Sequence, residues 1–173
     1  MGRARRNARL MKTLQRLGPH FGHYPEPAKS WHVCLPEEEQ AAREAFEAEG
    51  VPMQFTAGHR YLGGFHGSEG PLEEWVVPKV EGWVDGVRAL ARVADRYPQT
   101  AYAGLAMSLQ HEWQYLQRVI PEVGAFMDPI EEAIREEFLP ALFGGDLTVD
   151  DDLRELLALG VKRAGLGLPV PTA

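Results

Sequence analysis

The sequence predicts an α+β fold in which all strands precede residue 71 and everything after it is helical. Three observations carry this. Short runs rich in β-formers occur only before Pro71, apolar residues recur with a period near 3.6 after it, and Gly or Pro punctuates each boundary. A content of 45% hydrophobic and 25% charged residues in 173 positions is that of an ordinary folded domain and excludes a disordered tail.

Leu10, Met11, Leu14 and Leu17 lie at helical spacing ahead of Gly18-Pro19, which predicts an amphipathic helix over 8–17. Pro25 and Pro27 bias the residues before them toward extended backbone, and Trp31 and Val33 make 30–35 a strand. Pro36 and the run Glu37, Glu38, Glu39 suit the positive end of a new helix, which presents Ala42, Ala45 and Phe46 before Gly50. Strands over 51–56 and 60–66 follow, with Ala57-Gly58 expected as the hairpin turn between them. From there the period changes. Leu72, Trp75, Val76, Val80, Trp83, Val87, Leu90 and Ala94 trace one helical face, which Pro78 must either kink or begin. A second helix runs from Pro98 through Leu105 and Trp113 to Ile120, and a third opens at Asp128-Pro129, with Asp128 expected as N-cap and Glu131 as its capping partner. That third helix closes at Gly144-Gly145, and a fourth spans about 150–159. The domain reading is residues 1–70 as α+β, 71–160 as all-α, and 161–173 as a Gly/Pro-rich tail.

The net charge of −7 conceals an asymmetry. Arg3, Arg5, Arg6, Arg9, Lys12 and Arg16 stand in the first 20 residues without an acid, whereas the remaining chain carries 12 basic against 25 acidic groups. Such an arm can bind nucleic acid or an acidic partner, or remain a solvated terminus. The acidic body excludes nucleic-acid binding over the whole surface, so any such binding must be local. No apolar run approaches the roughly 20 residues of a membrane helix, and MGRARRNARL lacks the apolar stretch of a secretory signal. With Cys34 the only cysteine, an intracellular location, cytoplasmic or nuclear, is expected.

Metal and nucleophile motifs are absent. His20, His23, His32 and Cys34, three of the six histidines with the single cysteine, resemble a ligand set only superficially, because His32 and Cys34 lie one residue apart on a strand without turn geometry. His111-Glu112 lacks the second histidine of a zinc protease, and neither a Gly-x-Ser-x-Gly elbow nor a P-loop occurs. Asp150, Asp151 and Asp152 read as the capped start of the last helix.

Two segments remain, GPHFGHYPEPAKSW (18–31) and GHRYLGG (58–64). The first resembles motif D of reverse transcriptases, a Gly-aromatic turn at a set spacing from a lysine. The second resembles motif E, the primer grip of those polymerases. YPQTAYAGLAMSLQHEWQYLQRVIP and LGVKRAGLGLP resemble the thumb and the region after it in polymerases of non-LTR retroelements. The resemblance covers about residues 9–168 and implies a small partial palm sheet of about three strands with two helices, followed by a thumb-like bundle. It implies that Lys29 is the catalytic lysine that assists the departing pyrophosphate. It also implies that His59, Arg60, Tyr61, Leu62, Gly63 and Gly64 cradle a primer-template duplex of RNA or DNA. Arg88, Arg92 and Arg96, four residues apart, are the expected nucleic-acid face of the helical half.

The family's magnesium is held by aspartates of motifs A and C, and neither motif occurs in this sequence. The expectation is therefore a polymerase fragment, inert alone, binding no cofactor, with residual duplex binding and an open sheet edge prone to self-association or complementation. The alternative expectation is a non-enzymatic helical interaction module with a basic N-terminal arm.

Overall fold

The computed structural model describes residues 2–172, which form two compact units, one ending at Leu72 and the next beginning at Glu73. The fold is α+β and mostly helical, with four short strands among the described residues.

In the first unit, helix α1 (Gly2–Leu17) runs further toward the N-terminus than its apolar spacing suggests, because no Gly or Pro interrupts the chain from Arg3 to Leu17. Ala8 and Met11 pack on Phe46 and Val51. Arg9 and Lys12 each reach Glu49 at 3.1 Å. The expected stop is realised as a 3-10 turn, Gly18–Phe21, closed by Gly22 at φ 76°.

Strand β1 (Trp31–Val33) and strand β2 (Gln54–Thr56) pair in parallel, with His32 opposite Phe55. Helix α2 (Glu39–Ala48) connects them, as a parallel pair requires a crossover rather than a tight turn. Phe46, 1% exposed, carries the packing: its ring meets those of His32 and Phe55 at 5.0 and 5.6 Å.

The expected hairpin turn at Ala57-Gly58 is corrected by the structure. Strand β3 (Gly58–Tyr61) pairs antiparallel with strand β4 (Gly64–Gly67) through a turn at Leu62-Gly63. Both turn residues have positive φ, 48° and 81°, the pattern of a type I′ turn whose twist suits a two-residue hairpin. Ala57-Gly58 instead separates β2 from β3, where Thr56 Oγ1 donates to the Gly58 carbonyl at 2.8 Å. The expected single sheet is accordingly two separate two-stranded sheets, β1-β2 and β3-β4.

The second unit is built on helix α3 (Glu69–Ala94), which continues through Pro78. Val76, Val80, Trp83, Val84, Val87, Ala91 and Ala94 form its buried face, so the expected period holds across the proline. Helix α4 (Pro98–Gly104), a π-helical turn Leu105–Leu109, and helix α5 (Gln110–Val119) make the second rod. Gly104 lets it approach α3 closely, since a Cβ there would fall 2.8 Å from Leu90 Cδ2. Helix α6 (Asp128–Ala133), a π-helical turn Ile134–Phe138 and helix α7 (Leu139–Leu142) make the third. Asp128 is its first helical residue and makes no side-chain cap, and Glu131 does not fold back on it as expected. Glu131 is drawn away by a stronger partner, Arg154, as described below.

Helix α8 (Asp151–Ala158) has the expected cap, Asp150 accepting from the Leu153 N–H at 2.9 Å. The core between these helices includes Leu105, Trp113, Met127, Ile130, Ile134, Phe138 and Leu139, each 1% exposed or less. Leu168, from the Gly/Pro-rich tail, is as deeply buried as they are. Three side chains hold the tail by its carbonyls. Tyr102 Oη donates to Leu166 at 2.6 Å, Gln117 Nε2 to Pro171 at 2.5 Å, and Arg154 to Leu168 at 2.8 Å. Arg154 also makes a two-pronged ion pair with Glu131, at 2.6 and 2.7 Å.

Candidate functional site

Lys29 ends a 3-10 turn, Pro27–Lys29, in which Pro27 sets the backbone and Ser30 Oγ donates to the Glu26 carbonyl at 2.9 Å. The turn is well built, but the lysine is not enclosed: its side chain is 83% exposed, with Glu26 at 4.0 Å. An ion pair so open is worth little. Strand β1 starts two residues later, and there Trp31 stacks on His59, ring centroids 4.8 Å apart and planes inclined by 20°. That stack joins the lysine segment to the hairpin without a shared hydrogen-bond ladder. This contact of Trp31 has no signal in the sequence, where it reads only as a strand former.

Within the hairpin, alternation splits the HRYLGG residues between two faces. His59 and Tyr61 share one, with His66 directly across from His59, whereas Arg60 shares the other with Phe65. Tyr61 and Leu62 at the tip are 69% and 77% exposed. Leu62 occupies the left-handed region at φ 48°, which costs a residue bearing Cβ about 1–2 kcal/mol. A large apolar side chain held exposed on a strained turn is a feature that folding alone does not favour, and such strain gathers at binding sites. Gly63 supplies the second positive φ of the turn, and Gly64 is buried where β4 begins.

The three arginines of the second unit do not form one face. Arg88 donates to Glu137 at 2.8 Å, and that hydrogen bond, reinforced by the charges of Asp85 and Glu132, raises its pKa further. Arg92 is exposed in the last turn of α3. Arg96 lies past the helix end, its guanidinium 5.4 Å from the Tyr97 ring centre, so the four-residue register lapses where α3 stops. The aromatic side chains of this unit divide as well. Trp113 is 1% exposed and Trp83 donates to Glu112 at 2.8 Å, but Tyr115 is 42% exposed.

Arg88 lines a cleft of about 520 Å³ between α3 and the α6 rod. Its floor is apolar, from Val77, Val80, Val84, Phe126 and Ala133. Glu81 and Asp85 stand along one side and Glu132, Glu136 and Glu137 along the other, with Arg88 the only cation among the lining residues. In the first unit a cavity of about 580 Å³ has Arg3 and Arg6 on one wall and His32, Cys34, Glu37 and Glu38 among its other lining residues. Burial lowers the His32 pKa against the opposing charge of Glu38, and burial with Glu39 and Glu38 pushes the Cys34 thiol up. Neither group is therefore prepared as a thiolate–imidazolium pair.

Among the described residues no group of three or more His, Cys, Asp or Glu side chains is arranged to hold a metal ion. The donor set beside Lys29 does not fit the magnesium of the polymerase family, since Glu26 is the carboxylate it pairs with and the neighbouring Trp31 and His59 form a stack. No described helix is long and apolar enough to cross a membrane. Comparison with protein-family models, with curated proteins and with solved structures finds no match to this chain.

Proposed function

We propose that this chain corresponds to the rear of the palm and the thumb of a reverse transcriptase, inert in nucleotidyl transfer by itself and retaining a grip on primer-template duplexes. The observation that carries this reading is the stack of Trp31 on His59, which sets the lysine-bearing turn beside the aromatic-glycine hairpin. The strained, exposed tip at Leu62 supports it further, because a turn under selection for stability alone would hold Asn or Gly there. In this reading β3 and β4 are the grip. Tyr61 and Leu62 meet the sugar face of the backbone, and Arg60, exposed on the opposite face from His59, supplies the phosphate contact. The helical unit is the thumb. Arg92 is its most available cation of the three named arginines, since Arg88 is committed to Glu137.

Lys29 has the exposure of a group that meets a ligand rather than a partner within the fold. Without residues fitted to magnesium beside it, it has no pyrophosphate to protonate. Two measurements test the reading. A short primer-template duplex is titrated at several salt concentrations, with an expected linear fall of log affinity against log salt. Arg60→Ala is expected to weaken binding uniformly across sequences and to reduce the salt slope by about 1. Templated extension by the purified chain with Mg²⁺ would refute inertness, and no duplex binding at low salt would refute the grip.

A further inference from the structure

The outward stripe of α1 and the acidic cleft of the helical unit have complementary chemistry. Leu10, Leu14 and Leu17 recur at i, i+4 and i+7 and are 55%, 43% and 43% exposed, although Ala8 and Met11 already bury the opposite face of the helix. Arg6 and Arg3 continue the same stripe, four and seven residues before Leu10. Both are exposed, and among the described residues no ion pair within 4 Å engages either of them, whereas Arg9 and Lys12, on another side, are taken up by Glu49. The helix thus presents an apolar ridge with no described partner and a cationic end that shares the rim of the first unit's cavity with Glu37 and Glu38 without forming a described ion pair to them. The cleft offers the converse, an apolar floor of about 520 Å³ between two acidic rails. Its lining on α3 runs from Val77 to Arg88, about 16 Å of helix axis at 1.5 Å per residue, or some three turns. Leu10 to Leu17 spans two turns and fits within it.

We propose that the cleft of one molecule receives the α1 helix of a second copy of this chain, ridge on floor, Arg6 between the carboxylate rails and Arg3 just past their end. This is helix-in-groove recognition, with the side chains at i, i+4 and i+7 as anchors. Because each copy carries one helix and one cleft, the contact closes as a reciprocal pair or extends as a chain. The inference is independent of duplex binding and is tested with no nucleic acid present.

The test is a charge swap read by sedimentation velocity. At low salt the protein is expected to associate, and at about 1 M salt, where the screening length falls to about 3 Å, to return to monomer. One variant reverses the rails, Glu81→Lys with Glu132→Lys and Glu136→Lys, and the other reverses the ridge, Arg3→Glu with Arg6→Glu. All five side chains are exposed, so circular dichroism is expected to match the parent in both. Each variant alone is expected to be monomeric at low salt, because its helix and cleft then carry the same sign. Mixed, they are expected to regain mass as a heterodimer. A parent that stays monomeric at low salt overturns the proposal. So does association that survives in either variant, which would indicate pairing through a sheet edge, or a mixture that fails to recombine. Binding of a separate basic peptide or small organic cation by a strictly monomeric parent would assign the cleft to that ligand instead.

Discussion

Arg154 is 3% exposed, in a protein whose other charged side chains lie largely in water, and its replacement probes how the tail is held. Its guanidinium meets both oxygens of Glu131, at 2.6 and 2.7 Å, and the carbonyls of Leu168 and Pro169, at 2.8 and 3.3 Å. Arg154→Ala leaves the Glu131 carboxylate, 16% exposed, without its counter-charge, and orphans two carbonyls of the strap. Breaking a buried pair from one side costs about 3–5 kcal/mol. At roughly 2–4 °C per kcal/mol for a chain of this size, the melting temperature is expected to fall by about 10 °C. Removing both charges tells a different story, since burying apolar side chains of similar volume is often neutral. Arg154→Met with Glu131→Leu is therefore expected to recover most of the loss, leaving about 1–2 kcal/mol for the unmade bonds to the strap carbonyls. Urea unfolding at constant slope separates the cases. A loss below about 1 kcal/mol in Arg154→Ala, or a double variant no better than the single, would refute the buried-charge reasoning.

Two further perturbations follow from the first unit. His32 is held below the usual histidine pKa by burial, so the unfolded chain binds the proton more readily. Its contribution to stability is complete above about pH 6.5 and declines as pH falls through that value toward the lower folded pKa. His32→Phe is expected to flatten the urea midpoint of the first unit between about pH 7 and 5, and an unchanged slope would count against it. At the hairpin tip, Leu62→Asn relieves a left-handed leucine and creates the Asn-Gly pair favoured in type I′ turns. A gain of about 0.5–1 kcal/mol in stability with weaker duplex binding is expected, whereas a stability loss would show that Leu62 is kept for packing.

Much of the helical unit was legible because its signal is local. The spacing from Val76 to Ala94 survives Pro78, and Pro98 and Asp150 mark true starts. The π-helical turns were not legible, since an extra residue in a turn is accommodated by packing at Leu105–Leu109 and Ile134–Phe138. The hairpin shows the same division. Strand tendency near 60–66 is visible, but Leu62 at positive φ is an improbable turn former, so the local signal points to Ala57-Gly58 instead. Asp128 had every mark of an N-cap, and Glu131 of its partner, yet Glu131 belongs to Arg154, 23 residues on.

By itself the sequence determined which segments are helical, that strands precede residue 71, and that a basic arm is set against an acidic body, because periodicity, punctuation and charge are properties of neighbouring residues. Only the tertiary structure decided that Trp31 meets His59, that Arg88 is spent on Glu137, and that the glycine-rich tail is strapped down by Tyr102, Gln117 and Arg154. Those pairings join residues up to 64 positions apart. Which partner a side chain takes depends on the competition among all groups that folding brings within reach, and that competition has no local signature.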